Sequence, residues 1–177
     1  MMGATIQALL LLALGYVLGA LESPLLHSLH VSLYAPHLTL GMILFLPLSM
    51  PPALGAVTAF LLGLMRDGFS GGGLVGMHSE IYMVVFLLAF FLSKRLDYRP
   101  PIMFLLVTAA ASAVSSLVFF ALSAIFDQVF DQFGLVFRLL APQALIAAPF
   151  GPVIAGLCAL VARLGEAIDT PRSRRLF

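Results

Sequence analysis

The 177-residue sequence contains no asparagine and no tryptophan, only one cysteine, and few charged residues, at 10% of the chain. Each scarcity excludes something. The lone Cys158 rules out an internal disulfide and leaves the redox compartment unread. Without asparagine, the amide that often completes an oxyanion hole is missing. Without tryptophan, an interfacial aromatic belt falls to Tyr16, Tyr34, Tyr82 and Tyr98. Soluble domains carry about 25% charged residues, so a chain this poor in charge and 62% hydrophobic does not suit water. Its mean hydropathy is +1.11. The net charge of +1 argues neither for nor against nucleic acid, and no such partner is expected. The apolar runs are continuous rather than alternating, which excludes a transmembrane β-barrel.

What is present is a set of apolar stretches to be measured against the roughly 20 residues that span a bilayer. The reading is all-α: a polytopic membrane helical bundle forming one domain over 1–177. Gly3–Leu21 lacks both the basic start and the shorter apolar run of a cleaved signal, so it reads as a retained first helix. Leu38–Met65 is too long for one straight span and is broken by Pro47, Pro51 and Pro52. The proline pair removes two donors and pushes Met50 out of the helical region. Two short helices with a turn at Ser49–Ala53 are favoured over one kinked span. The fourth helix is expected to start at Ser79 as N-cap, with Glu80 in its first turn. The expected spans are about 3–21, 38–49, 53–66, 80–93, 101–126 and 139–162, making six, or five if 38–65 is one span. The last is bent by Pro142, Pro149 and Pro152, and a basic tail follows over 163–177.

Seven of the nine basic residues, Lys94, Arg95, Arg99, Arg163, Arg172, Arg174 and Arg175, fall in two segments on one side under either count. The positive-inside rule makes that side cytoplasmic. Lipid gives helices no hydrophobic reason to associate, so small residues mark close contacts. Gly15 and Gly19 form G-x-x-x-G in the first span; Gly55, Ala59 and Gly63 recur every four residues in the third; 108–116 reads TAAASAVSS. These stripes predict a compact bundle.

The candidate chemistry is thin. Gly68-Phe69-Ser70-Gly71-Gly72 fits the G-x-S-x-G elbow, but an expected membrane helix precedes it where the elbow needs a strand, and no histidine follows His78. The same residues read better as a turn, with glycines at 68, 71, 72, 73 and 76 permitting reversal. Asp67 then accepts hydrogen bonds from the amides that follow it. The glycines lack the Lys-Ser/Thr ending of a phosphate loop. His27, His30 and His37 could gather a metal in principle, but there is no H-E-x-x-H, and the segment from Pro24 reads as a short helix lying in the interface. Asp127 and Asp131 read as a solvated face beside interfacial phenylalanines. No apolar stretch has an ionisable residue near its centre, which counts against a pump or ion transporter. Neither a catalytic residue, a metal nor a cofactor is assigned.

The run from Gly63 to His78, GLMRDGFSGGGLVGMH, resembles the central signature of the MreD family of rod-shape-determining proteins. In that signature a helix ends in Gly-Leu, an Asp and a Ser-Gly turn follow, and Leu-Gly opens a new helix. The matching positions are Gly63, Leu64, Asp67, Ser70, Gly71, Leu74 and Gly76. Lys94-Arg95 and Ala147-Ala148-Pro149 in the last span fit as well, Pro149 counting with the packing positions. The resemblance implies a non-enzymatic scaffold in the bacterial inner membrane with its C-terminus cytoplasmic. It implies work with MreC, the MreB filament, the RodA glycosyltransferase and a class B penicillin-binding protein in lateral peptidoglycan synthesis. Asp67 and the 71–76 turn would then form a structural hinge. The family fold also resembles the substrate-binding membrane subunits of vitamin transporters, which gives the alternative of a small-molecule binding module.

Overall fold

In hydrocarbon every backbone N–H and C=O must be satisfied within the protein, and a continuous helix does this segment by segment. The computed structural model describes residues 2–28, 38–69, 76–126 and 133–169. They form α1 (Met2–Ser28), α2 (Thr39–Ser49), α3 (Pro52–Phe69), α4 (Met77–Ser93), α5 (Pro101–Phe126) and α6 (Phe133–Asp169), and no strand occurs among them. Within α1, α5 and α6 the stretches Ala4–Leu21, Pro101–Phe126 and Ala141–Gly165 are long and apolar enough to cross a membrane; α2 and α4 are shorter apolar helices. Side chains such as Ile102 and Leu145, 74% and 73% exposed, stand on the outside. A surface of that kind belongs in lipid. The molecule is a multi-pass helical membrane protein.

Residues 38–65 divide between two helices. Met50, which precedes the proline pair, is extended at φ −145° and ψ 163°, as the Cδ of a following proline demands. Pro52 then opens α3, at the one helical position where its missing N–H costs nothing. The start of the chain differs from expectation. Instead of stopping at Leu21 and yielding to a separate interfacial piece, α1 continues through Glu22 and Pro24 to Ser28. An internal proline forfeits one backbone bond, which is not enough to end a helix already propagated through twenty residues. At the other end, α6 runs on through Arg163 to Asp169, into the segment read as a tail.

Close contacts give the helix directions. Gly15 meets Leu62 and Gly19 meets Phe69, so α1 and α3 run the same way. Gly55 meets Phe86 and Gly63 meets the backbone at Ser79, so α3 and α4 are antiparallel. Gly41 lies against Gly151 and Ile154, and residues 45–49 share a cavity wall with 152–163, so α2 and α6 are parallel. Gly151 meets Thr108 and Ser116 reaches Gln143, so α5 opposes α6. Direction therefore alternates along the chain. One end of the bundle gathers the start of α1, the loop 94–100 and the late part of α6.

The core is built around α2. Leu40, Met42, Ile43, Leu44 and Leu46 are all at most 1% exposed, so most of α2 is enclosed, and only toward its end, as at Phe45, Leu48 and Ser49, is it half-buried. A helix apolar all round is a buried one. The small hydroxyl residues buried beside it bond their own helices: Thr58 Oγ1 donates to Leu54 O at 2.8 Å and Thr108 Oγ1 to Phe104 O at 2.7 Å. Such back-bonding leaves no polar atom seeking water. The described tyrosines divide between surface and core. Tyr16 is exposed, but Tyr82 and Tyr98 are core residues at 1% and 0% exposure. Tyr98 folds inward from the 94–100 loop, and its hydroxyl donates to Leu44 O at 3.1 Å and Ala89 O at 3.4 Å. A phenol with carbonyl acceptors available can be buried whole. Tyr34 lies outside the described residues.

Candidate functional site

The first turn of any helix carries amides with no partner inside it, and an ionised carboxylate is the strongest acceptor for them. In α4 that carboxylate comes from the preceding helix. Asp67, in the last turn of α3, accepts from the Gly76 N–H at Oδ2 (2.9 Å) and from the His78 N–H at Oδ1 (3.0 Å). The Ser79 hydroxyl reaches Oδ2 at 3.3 Å, and His78 Nδ1 lies 2.8 Å from Oδ1. An ionised carboxylate only accepts, so Nδ1 carries the proton of this contact. The Asp67 side chain is 4% exposed and that of His78 14%. Burial pushes the Asp67 carboxyl up, but the bonds from the His78 backbone, the His78 ring and the Gly76 backbone outweigh it and hold the group below its usual 3.8.

Two glycines make the approach possible. A Cβ at Gly63 would overlap the Ser79 backbone, so α3 and α4 touch main chain to main chain there. Gly76 takes φ +100°, a left-handed conformation that side chains disfavour. It is Gly76 that stands at the N-cap position of α4, and the helix starts at Met77. This corrects the expected Ser79 cap. Ser79 already sits inside the helix, at 1% exposure, with its hydroxyl turned to Asp67. Glu80 does occupy the first turn. Among the described residues, the amides that Asp67 accepts from lie 9 and 11 residues along the chain, at Gly76 and His78.

Gly63, Asp67 and Gly76 thus converge on one clasp, while Ser70, Gly71 and Leu74 lie outside the described residues. Asp67 and His78 would suit the orienting acid and base of a triad. The serine that would complete it has no described position, and both carboxylate oxygens are taken by backbone amides. Of the packing positions, Gly15 and Gly19 meet α3, Gly55 meets Phe86 of α4, and Ala59 is fully buried. Pro149 faces outward; Ala147, Ala148 and Gly151 make the inward contacts at that level of α6. The side chains of His27, His30, His37, Asp127 and Asp131 lie outside the described residues. Sequence reasoning missed His78 and Ser79 as partners of Asp67, because that pairing exists only once α3 and α4 are folded together.

A family model for the rod shape-determining protein MreD matches residues 2–161. No curated protein and no solved structure matches the chain. The match takes in α1 to α5, most of α6 and the Asp67 clasp. MreD proteins are structural, shape-determining members of the rod complex, and by this match over most of its length the chain belongs to the MreD family of rod shape-determining proteins.

Proposed function

We propose that the protein is a non-enzymatic scaffold of the rod complex in a bacterial inner membrane, holding MreC and the wall synthases through contacts between transmembrane helices. MreB, RodA and a class B penicillin-binding protein are the further partners of this reading, and lateral peptidoglycan synthesis is the process supported. The observation that carries it is the Asp67 clasp, in which a buried carboxylate, its oxygens taken by Gly76 and His78, is spent on joining α3 to α4. Asp67, Ser70 and the 71–76 turn act as a structural hinge. The bundle end bearing Lys94, Arg95 and Arg99 is cytoplasmic by the positive-inside rule, and the C-terminus with it. The glycine stripes of α1 and α3 are consumed inside the bundle. The surface this reading assigns to a partner helix is the open apolar groove of about 240 Å³ between α4 and α5, lined by Leu88, Ala110 and Val114. The comparisons lend no support to the vitamin-subunit alternative.

The test joins depletion to pull-down. Depleted cells should round, and the tagged protein should retain MreC from solubilised membranes. A Ser70→Ala variant should restore rod shape as fully as the wild type. Rounding without MreC retention would defeat the scaffold reading, and failure of Ser70→Ala, with the protein inserted at normal level, would point to catalysis.

A further inference from the structure

A cavity of about 570 Å³ opens at the basic end of the bundle, between the end of α2, the start of α5 and the late part of α6. Its wall is apolar along Phe45, Phe104 and Ala159, and its two cationic groups are Arg99 and Arg163. Among the described residues neither guanidinium meets a carboxylate. The nearby Asp97 carboxylate is engaged with the Arg99 backbone N–H at 3.2 Å. Ser49 also lines the space, but its hydroxyl donates back to its own helix, at 3.2 Å to Phe45 O. The polar donors left to a ligand are therefore two planar forks shaped for phosphate oxygens.

The remaining lining says what kind of phosphate. A soluble anion would gain nothing from phenylalanine and alanine walls, whereas a lipid presents a charged head and an apolar chain in that order. The volume falls within the range of about 300–1,000 Å³ that encloses small-molecule ligands. The cavity lies beside Pro101, where the apolar stretch of α5 long enough to cross a membrane begins, and the edge of such a stretch is where headgroups are met. We propose that this cavity holds an anionic membrane phospholipid, its phosphate between the Arg99 and Arg163 guanidiniums and one acyl chain along Phe45, Phe104 and Ala159. The site requires only that this end meets a bilayer surface, so it stands whichever compartment that surface faces.

Gly156 supplies a second handle. It lines the cavity, and a Cβ there meets nothing within 4 Å, so a larger side chain fills the apolar part without disturbing the fold. The experiment is native mass spectrometry of the full chain, delipidated and titrated with phosphatidylglycerol or with phosphatidylcholine of the same chains. Phosphatidylglycerol should be retained preferentially. Arg99→Gln with Arg163→Gln should weaken that retention about tenfold, as loss of charge-assisted hydrogen bonds to a phosphate implies. Gly156→Leu should weaken it as well, with helical circular dichroism unchanged. Lys94→Gln with Arg95→Gln, which removes equal charge outside the cavity, should leave it intact. Equal retention of the two lipids, or an equal loss in the Lys94/Arg95 variant, would overturn the proposal. Binding of glycerol phosphate as tight as that of the whole lipid would overturn it in favour of a soluble anion.

Discussion

Asp67 serves α4 as a capping residue from 11 positions away. A local cap satisfies one or two amides; this carboxylate takes two amides, a hydroxyl and an imidazole. Replacing this carboxylate, itself 4% exposed, with alanine strands those donors, and the expected loss is about 2–3 kcal/mol, the scale for bonds to a charged group left unmade. Asp67→Asn, which keeps one acceptor oxygen, should lose about half of that. Thermal unfolding in nanodiscs measures both. The pH dependence has a fixed sign. The folded carboxyl lies below the unfolded 3.8, so its contribution is complete above 3.8 and fades as pH falls through the lower folded value. The margin of wild type over Asp67→Asn should hold from neutral pH down to about 4.5 and close only below that.

The α3–α4 pair shows at the scale of elements what the sequence could and could not say. The proline pair and Gly76 ahead of α4 are legible because each acts within a few residues of itself, and the Gly63 spacing because small residues mark close helix contacts. The start of α4 falls three residues before the expected one, because its capping group belongs to another helix and no local pattern marks it. The burial of α2 was hidden for a related reason: an all-apolar helix gives no periodicity, and lipid and protein interior call for the same residues. Tyr98 was read as an interfacial residue because its loop position is local, whereas its acceptors on α2 and α4 are not. The pair also separates two glycines that look alike in sequence. Gly63→Ala should destabilise by about 1–3 kcal/mol, since its methyl meets the Ser79 backbone, which cannot yield as a side chain would. Gly68→Ala, also helical but with nothing within 4 Å, should be neutral or stabilising by up to about 1 kcal/mol. If the two variants unfold together, α3 and α4 do not pack main chain to main chain.

For the whole molecule, alternation of direction through six helices ties together groups far apart in sequence. The start of α1, the loop with Lys94 and Arg95, and Arg163 share one end, while Asp67 and Gly68 lie at the other. The compartment proposed for each end rests on charge, and the protein supplies its own means of finding out. Its single cysteine, Cys158, is fully buried, so the native chain should be silent to thiol reagents and an introduced cysteine reports alone. Gly68→Cys adds its side chain into open space, and Arg95 is exposed. In intact cells a membrane-impermeant maleimide should label Gly68→Cys and spare Arg95→Cys; after permeabilisation both should react. The reverse pattern would put the basic loop outside and break the positive-inside assignment. Labelling of both in intact cells would mean that the two ends do not lie on opposite faces, and the alternation read from the glycine contacts would fail with it.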